Sequence, residues 1–465
     1  MTVLLEKNLD VLRESLPSLG VAESEINIPE RLSQLLHVEV WGEEEFSFLG
    51  KLLRKVDIAG RLKTSYRRDW TRASGSEDLE EPWQSLAALL VYRAYCKGWG
   101  QESTRFDTAI CMNALAKLLD MVSAPWISEG SPVRAEIDDE IEKCLLNGCP
   151  RSFVPDGEME ARAISFQNHS RHQEISVTIL FYEGPIARAY LETLYACGLK
   201  PARIINLVVS RDLISDRPAG RALPGFIRIP YLTYRQQRQI HYWPRQISRQ
   251  FSKLHQTISE EVEDKFGFSH EILKAATRLH DLSRYSARVE PILVDGLRDR
   301  SLKDRLRAIA PGTVLFTGGG IVPGEVIAIP GLRLLHVHPG YLPQLRGADC
   351  TLWSNLLADR SSASCFFMAS DIDMGAVVDR CWLPEVRFPL DTSEYDIRTL
   401  YRAIYAFLDP WIRAYCLHRV LNSFQSLSEI EAYEQNKVDG RTFHFMHDRF
   451  KFAAFRSLFH TDRDA

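Results

Sequence analysis

His336 and His338 stand two residues apart at the end of an apolar alternation through Leu335 and Val337. On a strand, side chains two apart project from the same face. The run stops at Pro339-Gly340, a strong turn signal. A strand end that presents two imidazoles beside a turn suits proton transfer near neutral pH. Further on, Asp373 lies in a second turn, which feeds the apolar run ending at Val378. A carboxylate brought back beside an imidazole would orient it and stabilise its protonated form. Two histidines and an aspartate could also ligate zinc. Taken singly, each of these residues reads as an ordinary strand-end or turn residue.

The surrounding pattern must supply the scaffold. Val177–Phe181 and Ile204–Val209 read as buried strands, with a helix through Ala187, Tyr190, Leu191 and Leu194 between them. Strand, helix and strand in that order make a parallel unit. The pattern returns with a strand at Ile292–Val294, then a helix bearing Leu302, Leu306 and Ile309, which Ser301 is expected to cap. A strand at Val314–Thr317 then runs into Gly318, Gly319 and Gly320. Three glycines after a strand allow a ligand to approach the backbone closely. They are not the Gly-x-Gly-x-x-Gly dinucleotide fingerprint, because no suitable third glycine or acidic partner follows. In open parallel sheets ligands sit at the carboxyl ends of strands, where both this loop and the His338 turn fall.

The ordered set resembles the formyltransferases that use 10-formyltetrahydrofolate. Their pattern is Asn-x-His-Pro, a Leu-Pro with Arg-Gly close behind, and an Asp-x-Gly on a following loop. Here the pieces are His336-Val337-His338-Pro339, Leu342-Pro343, Arg346-Gly347 and Asp373-Met374-Gly375, with Trp353 in the helix between. The resemblance implies that His338 and Asp373 are catalytic. It puts His336 in the position of an oxyanion-stabilising Asn, a job a neutral histidine could do through a correctly aimed N–H. It assigns folate contacts to Gly318, Gly319, Gly320, Ile321, Val322 and Asp371, and it implies no metal. Arg346 is read first as a brace for its loop. The expected fold class is α/β, a formyltransferase-like parallel-rich sheet flanked by helices. The implied reaction moves a formyl group from 10-formyltetrahydrofolate to an amine of a small molecule, such as an amino sugar or a specialised-metabolite intermediate. The rivals are hydrolysis of the folate, another one-carbon or acyl transfer on the same scaffold, and a non-catalytic folate-binding or scaffolding role.

Composition sets outer bounds. The 465 residues suggest two or three domains, and 45% apolar with 25% charged residues is ordinary for a soluble globular chain. We expect a helical domain over 1–150, a linker near 146–172, the catalytic domain over 173–392, and a C-terminal helical and short-strand region over 393–465. Ser393 should cap a helix there. A net charge of −4 gives no global argument for nucleic acid. The nine scattered cysteines, without Cys-x-x-Cys, read as reduced thiols of a cytoplasmic protein. No apolar run is long enough for a membrane span. A homo-oligomer is left open. Two local clusters read first as ordinary surface: the acidic run Asp138–Glu142 as a solvated helix face ahead of a metal site, and Arg235–Arg245 as a solvated helix with a few core aromatics ahead of a contact for a phosphate, a nucleotide or RNA.

Overall fold

The computed structural model describes residues 105–121, 130, 132–146, 161–167, 169–319, 322–423, 430–436 and 440–460. Much of the helical domain expected over 1–150 lies outside them. Contacts divide the chain into two units: Met1–Cys149 with Phe443–Ala453, and Pro150–Thr442 with Ala454–Ala465.

In the first unit, α1 (Arg105–Met121) and α2 (Pro132–Leu146) bury Leu115, Leu119, Ile137 and Ile141. That spacing by four is one helix face. Asn113 of α1 holds the returning chain at both of its polar atoms, donating to the Phe445 carbonyl and accepting from the His447 amide. The acidic run of α2 is a solvated face: Arg134 pairs with Asp138 and Lys143 with Asp139 and Glu140.

The second unit is built on a seven-stranded sheet. In chain order it runs β1 (Gln173–Phe181), α3 (Pro185–Ala196), β2 (Leu199–Val209), α4 (Gly225–Ile240), α5 (Tyr242–Gln250), α6 (Ser252–Glu261), α7 (His270–Thr277) and β3 (Val289–Val294). It continues through α8 (Arg300–Ile309), β4 (Gly312–Phe316), α9 (Gly324–Ile327), β5 (Leu332–His338), α10 (Cys350–Ala358), β6 (Ser362–Phe367), β7 (Val377–Trp382), α11 (Ile397–Phe407) and α12 (Asp409–Ser423). The strand order is β3-β2-β1-β4-β5-β6-β7. The first five strands are parallel, and β6 and β7 add antiparallel to one edge. Leu302 and Leu306 of α8, with Val326 of α9, close one face over Leu180, Leu207, Val314 and Leu334. Burying each such side chain contributes about 1.5–3 kcal/mol.

Three expectations change. Asp299, not Ser301, caps α8, its carboxylate accepting from the Ser301 amide at 2.9 Å. Asp396, not Ser393, caps α11 through the Thr399 amide. Within the region expected to stand apart, α12 packs on β5, β6 and β7. Arg413 of α12 donates to the Val337 carbonyl of β5, and Arg419 pairs with Asp379 of β7. Detaching α12 would strip β5 and β7 of those partners.

Candidate active site

The sheet reverses its winding between β1 and β4, which lie side by side while their connections run to opposite sides. Ligands of open α/β sheets bind outside the carboxyl ends at such a switch point. Thr317, just past β4, ties the point together. Its hydroxyl accepts from the Tyr182 amide and donates to the Leu180 carbonyl, both past or at the end of β1. Gly318 follows. A Cβ there would meet the Phe316 ring at 2.7 Å, whereas a Cβ on Gly319 would meet nothing within 4 Å. Gly319 therefore offers open backbone.

His338 ends β5, 4% exposed. Its Nε2 lies 3.1 Å from the Leu345 carbonyl. A carbonyl only accepts, so Nε2 carries the hydrogen and the neutral ring leaves Nδ1 bare. Nδ1 faces Asp373 Oδ2 at 3.5 Å. The same carboxylate oxygen accepts from the Gly347 amide at 3.0 Å. Gly340 is required by this packing, because a Cβ would overlap the Leu345 carbonyl and sit 2.6 Å from His338 Nε2. Burial pushes the His338 pKa down, and Arg413 adds to that, while Asp373 pulls it up. The ring is thus held neutral with its base atom aimed at a carboxylate.

Asp373 has a left-handed backbone, with φ 54°. Gln435 clamps its loop by donating to the carbonyls of Asp373 and Gly375 at 2.8 and 2.7 Å. Gly375 lies so close to β6 that a Cβ would overlap the Phe367 carbonyl.

His336, on the same strand, aims Nδ1 at the Phe316 carbonyl at 3.1 Å. By the same reasoning Nδ1–H is the donor, and the neutral ring presents a bare Nε2. Burial, then Arg413, lowers its pKa to about 4. At neutral pH its remaining nitrogen is an acceptor. The N–H expected to face an oxyanion is instead spent on Phe316.

The other expected residues divide. Val322 is 5% exposed and belongs to the core cluster with Val326 and Ile329. Asp371 is exposed on the Asp373 loop. Gly320 and Ile321 lie outside the described residues. Arg346 braces its loop, donating to Thr442 Oγ1 and the Gly440 carbonyl. Arg413, Gln435 and Thr317 were not picked out from the sequence. Only Arg413 carried a readable signal, its spacing of four from Asp409, with which it pairs at 2.8 Å.

Among the described residues, no group of three His, Cys, Asp or Glu side chains is gathered to hold a metal ion. No described helix is long and apolar enough to cross a membrane. Cys197, Cys350, Cys365, Cys381 and Cys416 are free thiols. A cavity of about 560 Å³ lies among α5, α6 and α7, lined by His241, Arg245, His255 and Trp411, and contains none of the expected site residues. The catalytic reading rests on the strand ends instead. Tyr242 and Trp243 at the head of α5 are about half exposed, not core residues as expected, and Arg402 lies 3.5 Å over the Trp243 ring.

No family model matches the chain. Over 85 residues it is 28% identical to a methionyl-tRNA formyltransferase of Syntrophus aciditrophicus (strain SB), a stretch covering 18% of this chain. Over that stretch the chain is similar to a formyltransferase. The match spans 27% of that relative's length. Among solved structures, a sugar N-formyltransferase from Shewanella sp. FDAARGOS_354 is 14% identical, covering 63% of this chain and 90% of that one, with a TM-score of 0.30. Glycinamide ribonucleotide transformylase 1 from Symbiobacterium toebii is 15% identical, covering 58% and 99%, with a TM-score of 0.29. The one N–H of the neutral His336 ring is already engaged by the Phe316 carbonyl.

Proposed function

We propose that this protein transfers a formyl group from 10-formyltetrahydrofolate to an amine of a small molecule, with His338 and Asp373 as catalytic residues. The observation that carries the reading is the bare Nδ1 of a buried, neutral His338 opposite the Asp373 carboxylate at 3.5 Å. An acceptor amine must lose a proton as it attacks, and Nδ1 is placed to take it. The imidazolium that results is stabilised by Asp373, which the Gly347 amide holds in place, and it returns the proton to the folate nitrogen as the bond from that nitrogen to the formyl carbon breaks. Leu345 keeps the ring in the required tautomer by accepting from Nε2.

The residues present suit a folate donor, which would supply the activated formyl group. Gly318 and Gly319 permit close backbone approach at the switch point, and open space surrounds Gly319. With Val322 turned into the core, contact from this loop falls to the backbone of Gly318 and Gly319, with Gly320 and Ile321 completing the assignment. Asp371 would reach the donor from the opposite loop. An amino sugar or a specialised-metabolite intermediate is the acceptor class we favour, acting in the cytoplasm.

His336 supports a second reading. A bare Nε2 accepts a hydrogen bond, so it orders water or an N–H more readily than it stabilises a negative oxygen. Water held there would make the protein a formyltetrahydrofolate hydrolase. Purified full-length protein incubated with 10-formyltetrahydrofolate and a panel of amines separates the two, if folate release and product mass are followed together. The transferase gains one formyl mass on an amine, and loses that gain in His338→Ala. Folate release that is independent of every amine establishes hydrolysis. Absence of turnover and of folate binding overturns both.

A further inference from the structure

A second cavity, of about 360 Å³, opens at the carboxyl ends of β2 and β3, on the same sheet edge as His338. It belongs to neither the His338 cluster nor the Gly318 loop. Arg211, Arg221 and Arg228 line it, together with Asp216, Asp295 and Asp299. The formal charges cancel, but each carboxylate already has a partner, and none of these partners is Arg221 or Arg228. Asp299 caps α8 through the Ser301 amide and accepts from the Asp295 amide with its other oxygen. Asp295 accepts from the Ser210 hydroxyl. Asp216 is 71% exposed at its side chain and pairs with Arg211 at 3.5 Å. Arg221 and Arg228 have no ion-pair partner among the described residues, and Arg228 Nε is buried without a hydrogen-bond partner.

The chain around the cavity is strongly one-signed. Residues 217–259 contain eight Arg or Lys and no Asp or Glu, in a protein whose net charge is −4. A cleft walled by such a segment concentrates anions. Arg228 is also held in place. Gly220 has φ 65°, and a Cβ on it would meet Arg228 Cγ and Tyr231 Cδ1, each at 3.4 Å, so the turn lies against the stem of Arg228. Guanidinium forks favour anions with several acceptor oxygens in fixed geometry.

We infer that this cavity is a phosphoryl-binding subsite in which Arg221 and Arg228 hold the anion and Arg211 closes its rim. Two sources can supply the group: free phosphate, or a phosphoryl group carried by the acceptor. The second source rests on the proposed formyl transfer. Three strand spacings separate β2 from β5, about 14 Å along the sheet edge. An acceptor with its amine about that far from its phosphoryl group would fill both sites at once.

The test starts from binding alone, so that it stands or falls separately from the activity. The full-length protein is titrated with inorganic phosphate and with pyrophosphate, followed by calorimetry and by phosphorus NMR line width. Saturable binding is expected, weakened at least tenfold in Arg221→Ala and in Arg228→Met, which keeps the stem packed on Gly220. His338→Ala should bind as the wild type does. Absence of binding, or wild-type affinity in both arginine variants, overturns the subsite. Paired acceptor amines with and without a phosphoryl group then identify the source. A lower KM for the phosphorylated partner, narrowed by Arg221→Ala, assigns the site to the acceptor. Equal KM values with intact phosphate binding assign it to free phosphate and overturn the two-site span.

Discussion

At the scale of single residues, the site is decided by which nitrogen of each imidazole carries hydrogen. Leu345 fixes this for His338 and Phe316 for His336, each by a carbonyl 3.1 Å away. His338→Ala removes the base and should lower kcat by about 10²–10⁴-fold. Asp373→Asn keeps the shape but leaves the imidazolium without a counter-charge, and should cost kcat about 10²-fold or more. Steady-state kinetics with matched thermal melts check both, since a loss of activity that tracks a loss of fold would contradict a catalytic role. His336→Asn is the more informative change. It frees an amide donor where the imidazole offered a lone pair, so kcat for formyl transfer should rise about tenfold or more. An unchanged kcat would mean that the nitrogen at 336 does not face the reacting groups. The histidines and the aspartate were legible in the sequence because their order along the chain is itself a pattern. The tautomers were not, because they depend on carbonyls brought close by the folding of β4 and of the Leu345 turn.

At the scale of elements, the site depends on close backbone approaches more than on long side chains. The Asp373 loop reaches β5 only because Gly375 lets it lie against the end of β6. Gly375→Ala should therefore destabilise the protein by about 2 kcal/mol or more and displace Asp373. Urea unfolding with kinetics on the surviving fold would show both effects, and a fully active, fully stable variant would refute the account. The parallel strands were readable because strands covered on both faces appear as unbroken apolar runs. The helix starts were less so: Ser301 and Asp299 both offer capping oxygens, and only the backbone angles decide between them. The aromatics of α5 misled for a related reason. Tyr242 and Trp243 are neighbours about 100° apart on the helix, and nothing in their spacing says which side meets the sheet and which the solvent. Gln435 gave no signal, since its contacts to Asp373 and Gly375 cross some 60 residues and follow no local period.

At the scale of the whole molecule, the buried histidines make stability depend on acidity. The His336 pKa is lowered to about 4 in the folded protein, from an ordinary value of 6.5. Between those values the unfolded chain binds a proton that the native ring refuses. Stability is therefore complete above pH 6.5 and falls as pH drops toward 4. His338, His255 and His418 are pushed in the same direction by burial, and steepen the fall. The carboxylates act in a separate, lower window. Glu183, held by Arg188 and His241, and Asp212, held by Ser215 and Gln239, are both lowered to about 2. Their contribution is present above the ordinary carboxylate values and disappears only as pH falls toward 2. The interval from pH 6.5 to about 4.5 thus isolates the imidazoles. His336 alone would contribute a loss on the order of 3 kcal/mol across its full window, a large share of the 5–15 kcal/mol typical of a folded domain. Urea unfolding at intervals between pH 7.5 and 4.5 should show a plateau followed by a decline, and His336→Asn should flatten the decline without moving the carboxylate window. A wild-type profile that stays level to pH 4.5 would show that the two rings are not held neutral, and the base assigned to His338 Nδ1 would fail with it.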